Sequence, residues 1–261
     1  KGYRRSKMSG ISIITSMLRS ETFIDGLIQN VTEMQRFDDC EWIVIDVNPS
    51  EETYEGKRVQ QAAEKHFNIK YFKLRFDPKG GVYGVWNLAI KSMAQKEYIT
   101  NWNCDDRRYK DSFAKQIDIL DNEPDVDLLY NDHYWHEAPN ASQENIRQTK
   151  HELMEHPEFS IESICLSNLP HNDPVWRKSL HDKFGVFDTN TITVADWNFW
   201  VKCAIGGAVF KKVHDIRGIY YNNPEGISTG KRKLRERKLE VARAKERHKQ
   251  TLNNFYQGKT E

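Results

Sequence analysis

The chain has 261 residues, enough to bury a substantial core as one large domain, and its 39 Lys and Arg against 38 Asp and Glu leave a net charge of +1. The balance is uneven: residues 231–249 hold ten Lys or Arg against three Glu, a local +7 that leaves the remainder near −6, a poor footprint for nucleic acid. No run approaches the roughly 18 apolar residues of a membrane span, and Cys40, Cys104, Cys165 and Cys203 share no CxxC spacing, which argues against a zinc site or a disulfide framework and for a reducing cytoplasm.

After a basic lead, "KGYRRSKMSG", the β-branched run "ISIIT" (11–15) predicts a first strand. Phe23, Ile24, Leu27, Ile28, Val31 and Met34 recur at helical spacing and predict a helix over 21–35. "EWIVIDV" (41–47) reads as a second strand, 53–66 as a helix and "IKYFKLR" (69–75) as a third strand. The glycine loop "DPKGGVYG" (77–84) leads into a helix over 84–95, and "EYITNW" (97–102) makes a fourth strand. A helix over 111–121 with Asp111 as N-cap and a strand "VDLLYND" (126–132) complete an alternation that predicts a largely parallel sheet flanked by helices. Residues 133–172 read as irregular loops plus an edge hairpin. Helices are expected at 174–184 and 196–205, short strands at "AVFKKV" and "GIYYNN", and a charged helix from 231 to 256 beyond the linker "PEGISTGK".

In open parallel sheets, ligands bind beyond the carboxyl ends of the strands. "TSMLRS" follows the first strand there, Asp46 ends the second, and Asp105 with Asp106 follows the fourth. Two adjacent carboxylates repel, so they mark a solvated or capped turn, or a site for a hard divalent cation whose charge removes the repulsion. Gly80, Gly81 and Gly84 could let backbone approach a phosphate with Lys79 as a point charge, but neither GxGxxG nor GxxxxGK[ST] is present, and a plain turn serves equally. Asp196 opens a helix whose Trp197, Trp200, Val201 and Ala204 form an apolar face; it is either an acid favoured by the helix dipole or a general base shielded by aromatics. The histidines show no HExxH spacing; His171, in "LPHNDP", lies in a loop where it could meet a substrate.

Six segments in order, "ISIITSMLRSE", "EWIVIDVNPSEET", "GVYGVWNLAI", "EYITNWNCDDRR", "PVWRKSLHDKFGVFD" and "ADWNFWVKCAIGG", resemble the family 2 glycosyltransferases over residues 10–222. The resemblance implies a GT-A type, Rossmann-like α/β fold: a mostly parallel sheet flanked by helices, with a nucleotide-sugar-binding part (10–132), an irregular acceptor-side part (133–222), and then a linker and basic C-terminal helix (223–261). It implies an inverting transferase that moves a sugar from a nucleoside diphosphate sugar to a hydroxyl of a carbohydrate or lipid-linked glycan in polysaccharide assembly, using Mn²⁺ or Mg²⁺. Carried over by position, Thr15, Asp46 and Asn87 would contact the donor, Asp105 would sit near its ribose and Asp106 on the metal, and Asp196 would be the catalytic base. Trp176 and Trp197 are candidates to stack on an acceptor sugar beside His171. The chain departs from the family pattern at Val47, Asn103 and Ala195, where an acid is common, and at Trp86, where Arg is common. Two other classes stay open, a nucleotidyltransferase, disfavoured because "TSMLRSE" has no glycine, and a non-catalytic sugar-binding domain. For the basic tail there are three readings, in order: a helix packed loosely on the domain, peripheral contact with anionic lipid, and nucleic-acid binding.

Overall fold

A computed structural model describes residues 9–75, 78–231 and 234–258, the side chains of Ile216 and Arg217 excepted. Most of the basic lead, Asp77 of the glycine loop, Arg232 and Lys233 of the basic run and the last three residues lie outside the described residues.

The first half follows the predicted alternation: β1 (Ile11–Met17), α1 (Ile24–Thr32), β2 (Glu41–Asp46), α2 (Tyr54–Lys65), β3 (Ile69–Lys73), α3 (Gly81–Ser92) and β4 (Tyr98–Asn101). β1 lies between β2 and β4, with β3 outside β2, and all three pairings are parallel. Both faces of these strands are covered, which is why they read as continuous apolar runs. Trp42 and Val44 of β2 point into one core with Ile11 and Ile13, under α1, α2 and α4 (Ser112–Asn122). Ile43 and Ile45 point into the other with Ile14, as the period of two requires. Each fully buried Ile or Leu contributes about 1.5–3 kcal/mol, so the two cores together fix the register.

Beyond β4 the sheet becomes mixed. β5 (Arg107–Arg108), β6 (Leu128–His136), β7 (His151–Met154), β8 (Val175–Arg177) and β9 (Phe210–Tyr221) extend it in the order β3-β2-β1-β4-β8-β6-β9-β5, with β7 beside the far half of β6. β8 is antiparallel to both β4 and β6, whereas β6 and β9 are parallel. The largely parallel sheet of the sequence reading therefore holds for β3-β2-β1-β4 and gives way beyond them. The expected helix over 174–184 is β8 followed by α6 (Ser179–Phe184): "VWR" fills the ladder between β4 and β6, and those tertiary hydrogen bonds override the helical pattern. The two short strands expected near 208–223 are one long β9, which meets β6 through a register shift at Asn131/His133. β6 and β7 form the expected edge hairpin, and β6 crosses residue 132, so one sheet spans the two parts drawn from the sequence. α5 (Ile161–Leu166), fixed by a Ser160–Ser163 capping box, is a helix within the stretch 133–172 expected to be irregular.

α7 (Ala195–Ile205) and α8 (Leu234–Tyr256) close the second core. α8 is packed firmly, with Ala244 and His248 buried and Val241 and Leu252 against the core. Among the described residues no helix is long and apolar enough to cross a membrane.

Candidate active site

The carboxyl ends of β1, β2 and β4 meet at one edge of the sheet, where each strand end is organised by its own polar chemistry. Asp46 is fully buried: one carboxylate oxygen accepts from the backbone and side-chain nitrogens of Asn48 at 2.8 and 2.9 Å, and the other accepts from Tyr71 Oη at 2.7 Å. Lys73 Nζ lies 3.2 Å away. Asn48 in turn accepts from Arg19 N and donates to Glu55, tying the loops after β1 and β2 together. Asp46 thus shapes these loops, with no surface left to touch a donor. Thr15 is likewise internal, accepting from Trp42 Nε1 at 2.9 Å and donating to the Trp102 carbonyl at 2.8 Å. What β1 presents at its end is Leu18 and Arg19, both exposed.

The loop after β4 turns straight into β5, which pairs antiparallel with the end of β9 through Arg107↔Ile219 and Arg108↔Gly218. That pairing brings the end of β9 against the two aspartates. Asp106, 4% exposed, accepts from Tyr221 N at 3.2 Å on one oxygen and from Asn103 Nδ2 at 3.0 Å on the other; Asp105 accepts from Asn223 Nδ2 at 2.8 Å. Burial raises the pKa of both carboxyls, and the charge of Asp105 raises that of Asp106 further. The neighbouring arginines give only partial relief. Arg107 spends its guanidinium on the carbonyls of Phe23, Cys104 and Asp106 and on Asn140, and Arg108 spends its own on Thr100 and the Asn101 carbonyl while lying over the Trp102 ring. Burial lowers both to about 10. Both are bracing residues of the fold.

Among the described residues no three His, Cys, Asp or Glu are grouped to hold a metal. Mg²⁺ and Mn²⁺ sites on nucleotides need only one or two carboxylates, the remaining ligands being phosphate oxygens and water. Two adjacent carboxylates, Asp106 buried and Asp105 partly accessible, whose repulsion is only partly relieved, fit that donor set.

Asp196 stands in the first turn of α7. One oxygen accepts from Tyr83 Oη of α3 at 2.9 Å, the other from Asn168 Nδ2 after α5 at 2.8 Å. Burial raises its pKa, and the hydrogen bonds from Asn168 and Tyr83 oppose that rise. The Tyr83 phenol is held well above its usual pKa by burial and by Asp196, so it stays a donor. The Tyr220 phenol is raised in the same way, by burial and by the charges of Asp106, Asp105 and Asp196. Asp105, Asp196 and Tyr220 are partly accessible, and burial raises the pKa of each. His171 is exposed, with a φ of 28° that is strained for a residue with a side chain. Its ring stacks on His133 at 4.9 Å and 3°, and meets Tyr220 edge-on at 5.2 Å. Burial lowers the buried His133 to about 2, so the imidazole beneath His171 is neutral.

Four further expectations need correction or refinement. Asn87 does not face a donor: its amide donates to the Phe187 carbonyl at 2.8 Å and accepts from Phe187 N at 3.0 Å. Trp176 and Trp197 are not sugar platforms: Trp176 is 1% exposed, bonded to His181 and packed on Trp200, and Trp197 donates to the Ile164 carbonyl beneath His248. In the glycine loop, Gly80 (φ 91°) is needed because a Cβ would lie 2.4 Å from Thr189 Cβ, and Gly84 because a Cβ would lie 2.3 Å from the Lys79 carbonyl oxygen; neither close approach is to a ligand. Gly81 faces open space and Lys79 is exposed. The sequence reading missed Tyr83, Asn168, Tyr220 and Asn223. Tyr83 had a legible signal, lying in "GVYG" at the head of a helix, whereas the other three converge only through β8, β9 and α5.

No family model matches the chain, and no curated protein matches it. Solved structures do. Staphylococcus aureus TarS residues 1–349 in complex with UDP-GlcNAc superposes with a TM-score of 0.64 at 18% identity, over 85% of this chain and 61% of that one. The mannosyltransferase PcManGT of Pyrobaculum calidifontis, in complex with GDP-Man and Mn²⁺, gives 0.59 at 15% identity, over 84% and 58%. A longer TarS structure gives 0.62 at 18% identity, over 83% and 37%. The chain spans less than two thirds of each of these structures. The fold is therefore of the GT-A-like kind, an α/β mixed sheet flanked by helices, shared with glycosyltransferases.

Proposed function

We propose that the chain is a metal-dependent inverting glycosyltransferase that moves a sugar from a nucleoside diphosphate sugar onto a hydroxyl of a carbohydrate or lipid-linked glycan acceptor, within the unit 10–222 and in the service of polysaccharide assembly. The observation that carries this reading is a pair of adjacent acids, Asp105 and Asp106, bonded to the end of β9 and the residues just after it, together with Asp196 at the start of α7, all three close enough to Tyr220 to raise its pKa. Neighbours of the same fold were solved with UDP-GlcNAc and with GDP-Man and Mn²⁺, which supports a nucleotide-sugar donor.

In this reading Asp105 and Asp106 would hold Mg²⁺ or Mn²⁺ together with the donor diphosphate, and the bound ion supplies charge neutralisation for the leaving group. Asp196 is the base. Tyr83 and Asn168 each occupy one of its oxygens, which fixes the plane of the carboxylate and leaves lone pairs free for the acceptor. The acceptor O–H gives its proton to Asp196 and its oxygen forms the bond to the anomeric carbon. The bond from that carbon to the diphosphate breaks on the opposite face, and its electron pair leaves with the nucleoside diphosphate. Burial makes the carboxylate a stronger base than an exposed one, which suits it to this proton transfer. In this reading His171, exposed and stacked on His133, would meet the acceptor.

Thermal unfolding against a panel of nucleoside diphosphate sugars, with and without Mn²⁺, tests the reading. At 100 times its Kd the true donor adds about 2.7 kcal/mol, or roughly 5–11 °C for a chain of this size, in wild type with metal and not in Asp106→Asn. No metal-dependent shift with any donor would overturn it.

A further inference from the structure

α7 carries the proposed base and lacks a cap of its own. Its N-cap residue is Val194, which offers no side-chain acceptor, and the chain just before it, residues 188–194, arrives as a loop. The loop that leads into the helix is held instead from α8, nearly fifty residues further on. Glu240 accepts from Ile192 N at 2.7 Å through one oxygen, and from Thr193 N at 2.8 Å and Thr193 Oγ1 at 2.5 Å through the other. These are charge-assisted hydrogen bonds to the two residues that precede the Val194 N-cap, so they fix the path by which the chain enters α7, just ahead of Asp196.

α8 grips α7 on the other side of Asp196 as well. His248 pairs with Asn198 at 2.9 Å and packs edge-on against Trp197 at 4.5 Å. Asp196 is thus bracketed, at residues 192–193 before it and 197–198 after it. The near end of α8 is fastened too: the buried guanidinium of Arg237 donates to the carbonyls of Ile227 and Gly230, in the turn that follows Asn223, the residue bonded to Asp105. The segment 222–256 therefore runs from one acidic centre to the other.

We infer that α8 is a positioning element of the active site, and that Glu240 is a positioning residue which fastens the loop entering α7 and so holds Asp196 at the angle required for proton transfer. This rests on the reading of Asp196 as the base. Arg235, Lys238, Arg243, Lys245, Arg247 and Lys249 of α8 are exposed, whereas Arg237, Ala244 and His248 are buried and Glu240 is partly buried.

The test compares wild type, Glu240→Ala, Glu240→Gln and Asp196→Asn in the full chain, measuring transfer kcat, acceptor KM, donor affinity and melting temperature. Misplacing a catalytic group by about 1 Å costs about 100-fold in rate. Glu240→Ala is expected to lower kcat by roughly 10- to 100-fold with donor affinity within about twofold of wild type, and Glu240→Gln, which keeps an acceptor oxygen, to recover part of it. Should Glu240→Ala fail to fold, Glu240→Gln alone decides: kcat reduced with donor affinity and melting temperature kept supports the clamp, and wild-type kcat overturns it. Rate and donor affinity falling together in both variants would also overturn it, since that is the mark of general destabilisation. Transfer retained in Asp196→Asn would instead remove the base on which the inference stands, whereas an inactive Asp196→Asn beside a fully active Glu240→Ala refutes the clamp alone.

Discussion

Asn87→Ala separates a fold role from a donor role at one position. Asn87 is 8% exposed, and its amide bonds both the N–H and the carbonyl of Phe187. Phe187 sits among Tyr83, Trp86, Trp176, Phe199 and Trp200, so this double bond pins the segment after α6 to α3, the helix from which Tyr83 reaches Asp196. Truncation leaves two buried backbone groups without partners, at about 1–3 kcal/mol each and with incomplete additivity. A net loss of about 2–4 kcal/mol lowers the melting temperature by roughly 4–16 °C in a chain of this length. Differential scanning calorimetry gives the loss, and donor titration below the transition gives the affinity. The structure predicts a large thermal loss with donor affinity within about twofold of wild type. A weakened donor at unchanged melting temperature would refute the reasoning and return Asn87 to the binding site.

The pH dependence follows from the two hydrogen bonds on Asp196. Both favour the ionised form, so Tyr83→Phe raises the pKa of the base, and the acid limb of the kcat/KM profile moves to higher pH while the alkaline limb stays in place. Asn168→Ala acts in the same direction, and the larger shift is expected there because its hydrogen bond lowers the pKa more; an unmoved acid limb in both variants would show that a group other than Asp196 controls it.

Much of the fold was legible because the first half is locally consistent. "ISIIT", "EWIVID" and "YITN" are buried on both faces, and the helices between them carry one apolar stripe each, so periodicity alone found them. The second half was hidden where pairing is long-range. "VWR" became a strand only because β4 and β6 leave a slot for it, and no local pattern encodes that slot. The candidate site divides in the same way. Asp105, Asp106 and Asp196 could be found, since acids beside strand ends and helix starts are local features. Thr15, within β1, and Asn87, within α3, come from the family resemblance, and Asp46 ends β2, but all three turn inward, and only the packed partners, Trp42, Tyr71 and Phe187, reveal it. Glu240 was read as part of a charge run because nothing within α8 indicates that one of its acids faces the start of another helix.

Sugar transfer with Asp196 as the proposed base is open to direct measurement. Using the donor that stabilises the wild type, the release of nucleoside diphosphate and the formation of glycosylated acceptor should be measured for wild type and Asp196→Asn with Mn²⁺ present. The account predicts that Asp196→Asn binds the donor as tightly as wild type and transfers about 10²- to 10⁴-fold more slowly. Transfer at the wild-type rate in Asp196→Asn would contradict it.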